Sequence, residues 1–187
     1  MKELAMPYIT DHKQKFADLK FHIENQDQLR RRSNGGNSIL FSYIPVEENL
    51  YIEKARELYA GNAAFIDISK LFIKFIDNDG WDSFQEYYND FRSTPHVIFR
   101  SDDPSIDLFD LIIGAIEDAS QNEQIPFLIR TGCLFGTGID NANIMENKAV
   151  MSLPRPLVIF YPSKIEDDNI YFLNFKPASK YRCTLVR

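Results

Sequence analysis

The chain has 187 residues, 44% apolar and 26% charged, the size and mix of one globular domain with a substantial core. Its net charge of −6 argues against a partner held by attraction to a phosphate backbone, so direct nucleic-acid binding is not expected. Two cysteines, Cys133 and Cys183, make neither a disulfide framework nor a metal spacing, and no apolar run approaches the roughly 20 residues of a membrane span.

The opening MKELAMPYITDHK lacks a secretory apolar run, so a reduced cytoplasmic setting is expected. Phe16, Leu19, Ile23 and Leu29 recur at helical spacing and predict a helix from about Asp11 to Arg32. Arg30-Arg31-Arg32 falls at its end, where cations suit the helix dipole. Ser33-Asn34-Gly35-Gly36-Asn37 ends the helix, since tandem glycines let the backbone turn away. Ser38–Ile44 reads as the first strand, and Pro45 bars further pairing at its own nitrogen. Glu47 and Glu48 open a helix with Leu50, Ile52, Ala55 and Leu58 on its apolar face, and Gly61 closes it.

Ala63–Ile68 reads as a second strand, followed by a helix to about Asp77 that Ser69 can cap. Trp81 to Phe91 is a further helical run, aromatic on one side and acidic on the other. Ser93–Asp103 is either a short strand at His96-Val97-Ile98-Phe99 or an extended connection. Asp103-Pro104 starts a helix that continues to about Ser120. Two apolar strands follow: Ile125–Ile129 runs into Thr131-Gly132, and Leu157–Tyr161 runs into Pro162-Ser163. Ile170–Phe175 and Tyr181–Val186 form a closing meander, with Lys176–Lys180 between them.

Strands alternating with helices imply an α/β fold: a mainly parallel sheet flanked by helices, extended by an antiparallel C-terminal meander. Residues 1–37 supply a helix and a glycine loop, residues 38–187 the α/β domain, and together they form one compact domain. Fifteen Phe and nine Tyr against one Trp are read first as bulky core filler, with some Tyr left over for an interface.

Candidate chemistry is sparse. Gly132, Gly136, Thr137 and Gly138 lie after a strand and before a possible helix, so their amides are candidates for cradling an anion. The segment lacks the Lys-Ser/Thr of a phosphate loop, and a turn needing permissive backbone is the first reading, with anion binding and partner contact as the alternatives. Asp77-Asn78-Asp79-Gly80 resembles the start of a calcium loop, but Tyr88 stands where the bidentate Glu belongs. His12, His22 and His96 are scattered and there is no G-x-S-x-G, so no nucleophile is nominated. The expectation is a protein without catalytic residues, cofactor or metal.

The ordered series Leu40-Phe41-Ser42-Tyr43-Ile44-Pro45, Phe65-Ile66-Asp67-Ile68-Ser69-Lys70-Leu71-Phe72, Phe127-Leu128-Ile129-Arg130-Thr131-Gly132, the helix Asn143–Asn147, Arg155-Pro156-Leu157-Val158-Ile159-Phe160-Tyr161-Pro162 and Tyr181-Arg182 resembles the BrxB family. BrxB proteins are the small α/β components of the BREX bacteriophage-exclusion systems. The similarity spans roughly Ser38 to Val186, and the Phe-Tyr-Pro element is its most specific part. It implies a non-enzymatic adaptor that docks a PglZ-type phosphatase-like protein and works beside a large ATPase and a methyltransferase. The chain departs from the family between Gly136 and Asn143, where the family's Arg and His are missing, and at Ser163, where the family has Gly. On this reading the docking surface is the strand-end edge: Tyr43, Pro45, Thr131, Gly132, Tyr161 and Pro162. Aromatic and proline side chains lose little rotamer entropy on binding. Ordinary strand-end packing remains the alternative for Tyr43 and Tyr161. A nucleotide- or nucleic-acid-binding regulator using the Gly132–Gly138 loop is the second functional reading.

Overall fold

A computed structural model describes residues 5–101 and 107–187, with side chains from His12 onward. Five strands form a parallel ladder: β1 (Ser38–Tyr43), β2 (Ala63–Asp67), β3 (Ile125–Ile129), β4 (Leu157–Glu166) and β7 (Cys183–Val186), in the order β2-β3-β4-β1-β7. β5 (Asn169–Phe172) and β6 (Lys176–Ala178) continue it as an antiparallel meander from the far half of β4. Every residue of β1 and β3 is buried, the pattern of parallel strands covered on both faces.

Alternate residues of these strands feed two cores. Ile39, Phe41, Tyr43, Phe127, Ile129, Val158 and Phe160 meet α1 (Ala5–Glu24), α2 (Gln26–Arg32) and α3 (Glu48–Leu58) through Phe16, Leu19, Leu29, Tyr51 and Ile52. This layer is aromatic, with Phe41 stacked on Phe160 at 4.9 Å between ring centroids. Leu40, Leu128, Leu157, Ile159 and Tyr161 point the other way. They meet α4 (Ile68–Asp79), α6 (His96–Phe99), α7 (Leu108–Gln121), α8 (Asn141–Met145) and α9 (Lys148–Ser152). α5 (Trp81–Phe91) rides outside α4 and α6 and buries none of its residues fully. Among the described residues no helix is long and apolar enough to cross a membrane.

Several boundaries differ from the sequence expectation. The first helix breaks at Asn25, whose side-chain amide donates to the Phe21 carbonyl at 2.7 Å and offers the backbone an alternative to the next helical turn. α4 is capped by Asp67, which accepts from the Ser69 amide at 3.0 Å, so the last residue of β2 is the cap rather than Ser69. His96–Phe99 is neither strand nor extended chain but a single helical turn, started by Pro95 and pressing Ile98 and Phe99 into the core. The expected helix start at Asp103-Pro104 lies outside the described residues; α7 is capped at Asp107, which accepts from the Asp110 amide at 2.8 Å. α8 begins at Asn141 rather than Asn143 because Asp140 and Asn143 form a reciprocal capping box.

The two largest differences concern the end of the chain. β4 does not stop at Pro162-Ser163; it runs to Glu166. Pro162 is where the strand changes partner: Tyr43↔Pro162 is its last pair with β1, and Ser163↔Phe172 its first with β5. Asp167 and Asp168 then turn the chain with φ of 47° and 66°, the paired positive values of a tight hairpin. β7 is the second difference. It does not pair with β5 but returns to lie parallel to β1, from Ser38↔Cys183 to Phe41↔Val186. Gly36 permits this return, since a Cβ there would stand 2.0 Å from the Arg182 carbonyl oxygen. Lys176–Lys180, expected as a connection, contains β6.

Asn37 sits fully buried at the head of β1. Its amide donates to the Leu153 carbonyl at 2.9 Å, its side-chain oxygen accepts from Gln26 at 2.9 Å, and its own carbonyl accepts from the Leu157 amide at 3.0 Å. The residue thus ties α2, β1 and the approach to β4 together.

Candidate functional site

Open parallel sheets place ligands in a crevice beyond the carboxyl ends of their strands, where successive connections leave for opposite faces. Here α3 leaves β1 for the aromatic face and α4 leaves β2 for the other, so that crevice would lie over β4. β4 fills it. Its outer half continues through the position, and the β5 end folds back so that the Leu173 amide donates to the Pro162 carbonyl at 2.8 Å. Ser42 and Ser163 share a buried hydroxyl contact of 2.9 Å across the same line.

The six sequence-nominated edge residues lie at this edge, mostly facing inward. Tyr43, Thr131, Tyr161 and Pro162 are buried, while Pro45 and Gly132 are half-buried. Tyr43 donates to Glu48 Oε1 at 2.9 Å, and burial first, then the Glu48 charge, pushes its phenol well up from the ordinary range. Thr131 Oγ1 donates to the Phe160 carbonyl at 2.6 Å and so pins the exit of β3 to β4. Tyr161 stacks on Phe172, ring centroids 4.7 Å apart.

The glycine loop is closed on itself. The Cys133, Phe135 and Thr137 amides donate to the carbonyls of Arg130, Gly132 and Leu134, and the Ile139 amide donates to Thr137 Oγ1. Of the residues nominated for anion binding, only Thr137 is among these amide donors. The space enclosed by Thr131, Leu134, Ile139 and Tyr161 amounts to about 10 Å³, room for no more than a water. Gly136 and Gly138 have φ of 87° and 79°, and a Cβ on Gly138 would stand 2.4 Å from His96 Cβ, so turn geometry and a close approach account for both glycines.

A polar cluster that sequence reasoning missed spans the edge. Arg130, at φ 58°, reaches from β3 over to the start of α3, contacting Glu48 Oε2 at 3.3 Å and Asn49 Oδ1 at 2.9 Å. Its Nε lies 3.9 Å from Asp67 Oδ2. Cys133 donates its thiol to the Arg130 carbonyl, and burial, with Asp67 and Glu48 nearby, raises its pKa. A thiol held protonated is the opposite of an activated nucleophile. Among the described residues no three His, Cys, Asp or Glu side chains gather as a metal set.

What the edge presents to solvent comes from the neighbours of the nominated residues. Ile44 and Val46, flanking Pro45, are 52% and 90% exposed, and Phe135 and Phe175 are 50% and 59% exposed. The two Phe rings meet edge to face at 5.3 Å. Val46 and Phe135, large apolar residues outside any periodic pattern, were the available signal for this surface; Ile44 and Phe175 stood at the ends of expected strands. Comparison with protein-family models, with curated proteins and with solved structures finds no match to the chain.

Proposed function

We propose that this chain is a non-enzymatic docking component of a BREX-like phage-defence complex, and that its carboxyl strand edge seats a PglZ-type phosphatase-like subunit. The partner and the biological setting rest on the resemblance to BrxB proteins. The observation that carries the docking reading is the edge itself: the usual ligand crevice is filled by the outer half of β4, and Ile44, Val46, Phe135 and Phe175 stand exposed around it. Exposed apolar side chains in the loops that follow the strand ends suit a protein contact, and Phe135 and Phe175 already pair there. The small space of about 10 Å³ beside the loop and the absence of a phosphate-loop lysine favour docking over anion binding.

The test is a pull-down of the tagged chain from its native host, with the co-purifying proteins identified by mass spectrometry. Recovery of a PglZ-type protein at near-equal amount, lost in Val46→Asp and Phe175→Asp, is the expected result. Those two positions are the right ones to change, because Thr131 and Tyr161 are buried and their substitution would disturb packing. Recovery of the chain alone would overturn the proposal.

A further inference from the structure

A second surface lies away from the carboxyl edge, on the aromatic face of the sheet. α1 and α3 flank a groove of about 830 Å³, open to solvent on its outer side, with a floor that includes Phe16, Tyr51, Tyr59 and Ile125. The α1 wall runs from His12 to Glu24, roughly 18 Å at 1.5 Å per residue, enough for an occupant helix of about three turns.

The charged residues around the groove are unlike the molecule that carries them. The chain has a net charge of −6, yet the groove is bordered by Lys13, Lys20, Lys54 and Arg155 against one carboxylate, Glu24. Lys20 reaches Glu24 at 3.8 Å and Lys54 reaches Glu57 at 2.7 Å; both are exposed pairs that water and salt screen. We infer that the groove between α1 and α3 seats an acidic amphipathic helix of a partner protein. Its apolar stripe would lie on the aromatic floor, and its carboxylates would meet the lysines on both walls, the helix-in-groove mode of recognition. Such a site would let one small chain hold a second partner independently of its carboxyl edge.

The experiment is a phage-displayed library of helical peptides 18 residues long, selected on the whole chain, with the binders then tested against Ala17→Trp. Ala17 lines the groove and is exposed on α1, so the indole fills the groove from the wall side. The expected binders carry apolar residues at helical i, i+3, i+4, i+7 spacing and Glu or Asp between them. Their affinity should fall at least about tenfold in Ala17→Trp and in the triple variant Lys13→Glu, Lys20→Glu, Lys54→Glu, and should weaken as salt is raised. Thermal unfolding confirms that both variants fold, and the charge variants leave the floor untouched if the indole proves disruptive. Binders that are neutral or basic would overturn the inference. So would binders indifferent to Ala17→Trp, or saturable binding of oleate in place of peptide.

Discussion

The two halves of β4 are continuous in sequence yet belong to different environments. Leu157–Tyr161 is buried, flanked by β3 and β1, and stacked through Phe160 on Phe41. Lys164–Glu166 is hydrogen-bonded on one side only, to β5, and is largely solvent-facing. The junction is Pro162, which has no amide to give a ladder and therefore marks a change of partner at little cost. The inner half supplies stability and the outer half shapes a surface, so substitutions in the two should separate folding from docking.

The sharpest contrast is Phe160→Ala against Ile165→Ala. Removing the Phe160 ring should cost about 4 kcal/mol, lowering the melting temperature by about 10 °C, while Ile165→Ala, facing Ile170 across the hairpin, should cost about 1 kcal/mol. Equal losses in a urea or thermal melt would erase the distinction. Next in size is Asn37→Ala, which removes the buried amide at the head of β1 and should cost about 2 kcal/mol by the same measurement.

Alkaline pH should also act, through groups on β1, β4 and β7. Burial raises the Tyr43 and Tyr161 phenols and pushes the Cys183 thiol up to about 12 from an ordinary 9.0. In each case the folded state holds its proton more tightly than the unfolded chain. The associated stability is fully present below the unfolded pKa and is lost as pH rises through the folded one. Urea midpoints should therefore fall progressively from about pH 9 upward, and Cys183→Ala should remove part of that slope. A flat profile to pH 11 would show that these groups are solvated. The smallest stability effect belongs to the exposed edge: Val46→Asp and Phe175→Asp should change unfolding free energy by no more than about 0.5 kcal/mol while abolishing partner recovery.

The fold class was legible because the strands at Ser38, Ala63, Ile125 and Leu157 are short apolar runs separated by helical periodicity, a pattern dominated by local chemistry. What was not legible depended on distant partners. Nothing in Cys183–Val186 says that it pairs with β1 rather than with the strand just before it; the close passage at Gly36 becomes visible only in three dimensions. The residues nominated for a docking edge do lie at the carboxyl ends of their strands, yet Tyr43, Thr131 and Tyr161 turn inward because each finds a hydrogen-bond or stacking partner there. Arg130 was invisible as a cross-edge link, since Glu48, Asn49 and Asp67 are remote from it in sequence.

The position of β1 has a consequence for synthesis. Both of its strand neighbours, β4 and β7, come late in the chain, so the apolar SILFSY segment emerges from the ribosome long before either of its edges can be paired, although α1 and α3 are available to one face. Non-local parallel pairing of this kind is slow to form and leaves intermediates prone to aggregate. The nascent chain should therefore depend on chaperone capture of that segment until β4 has been translated.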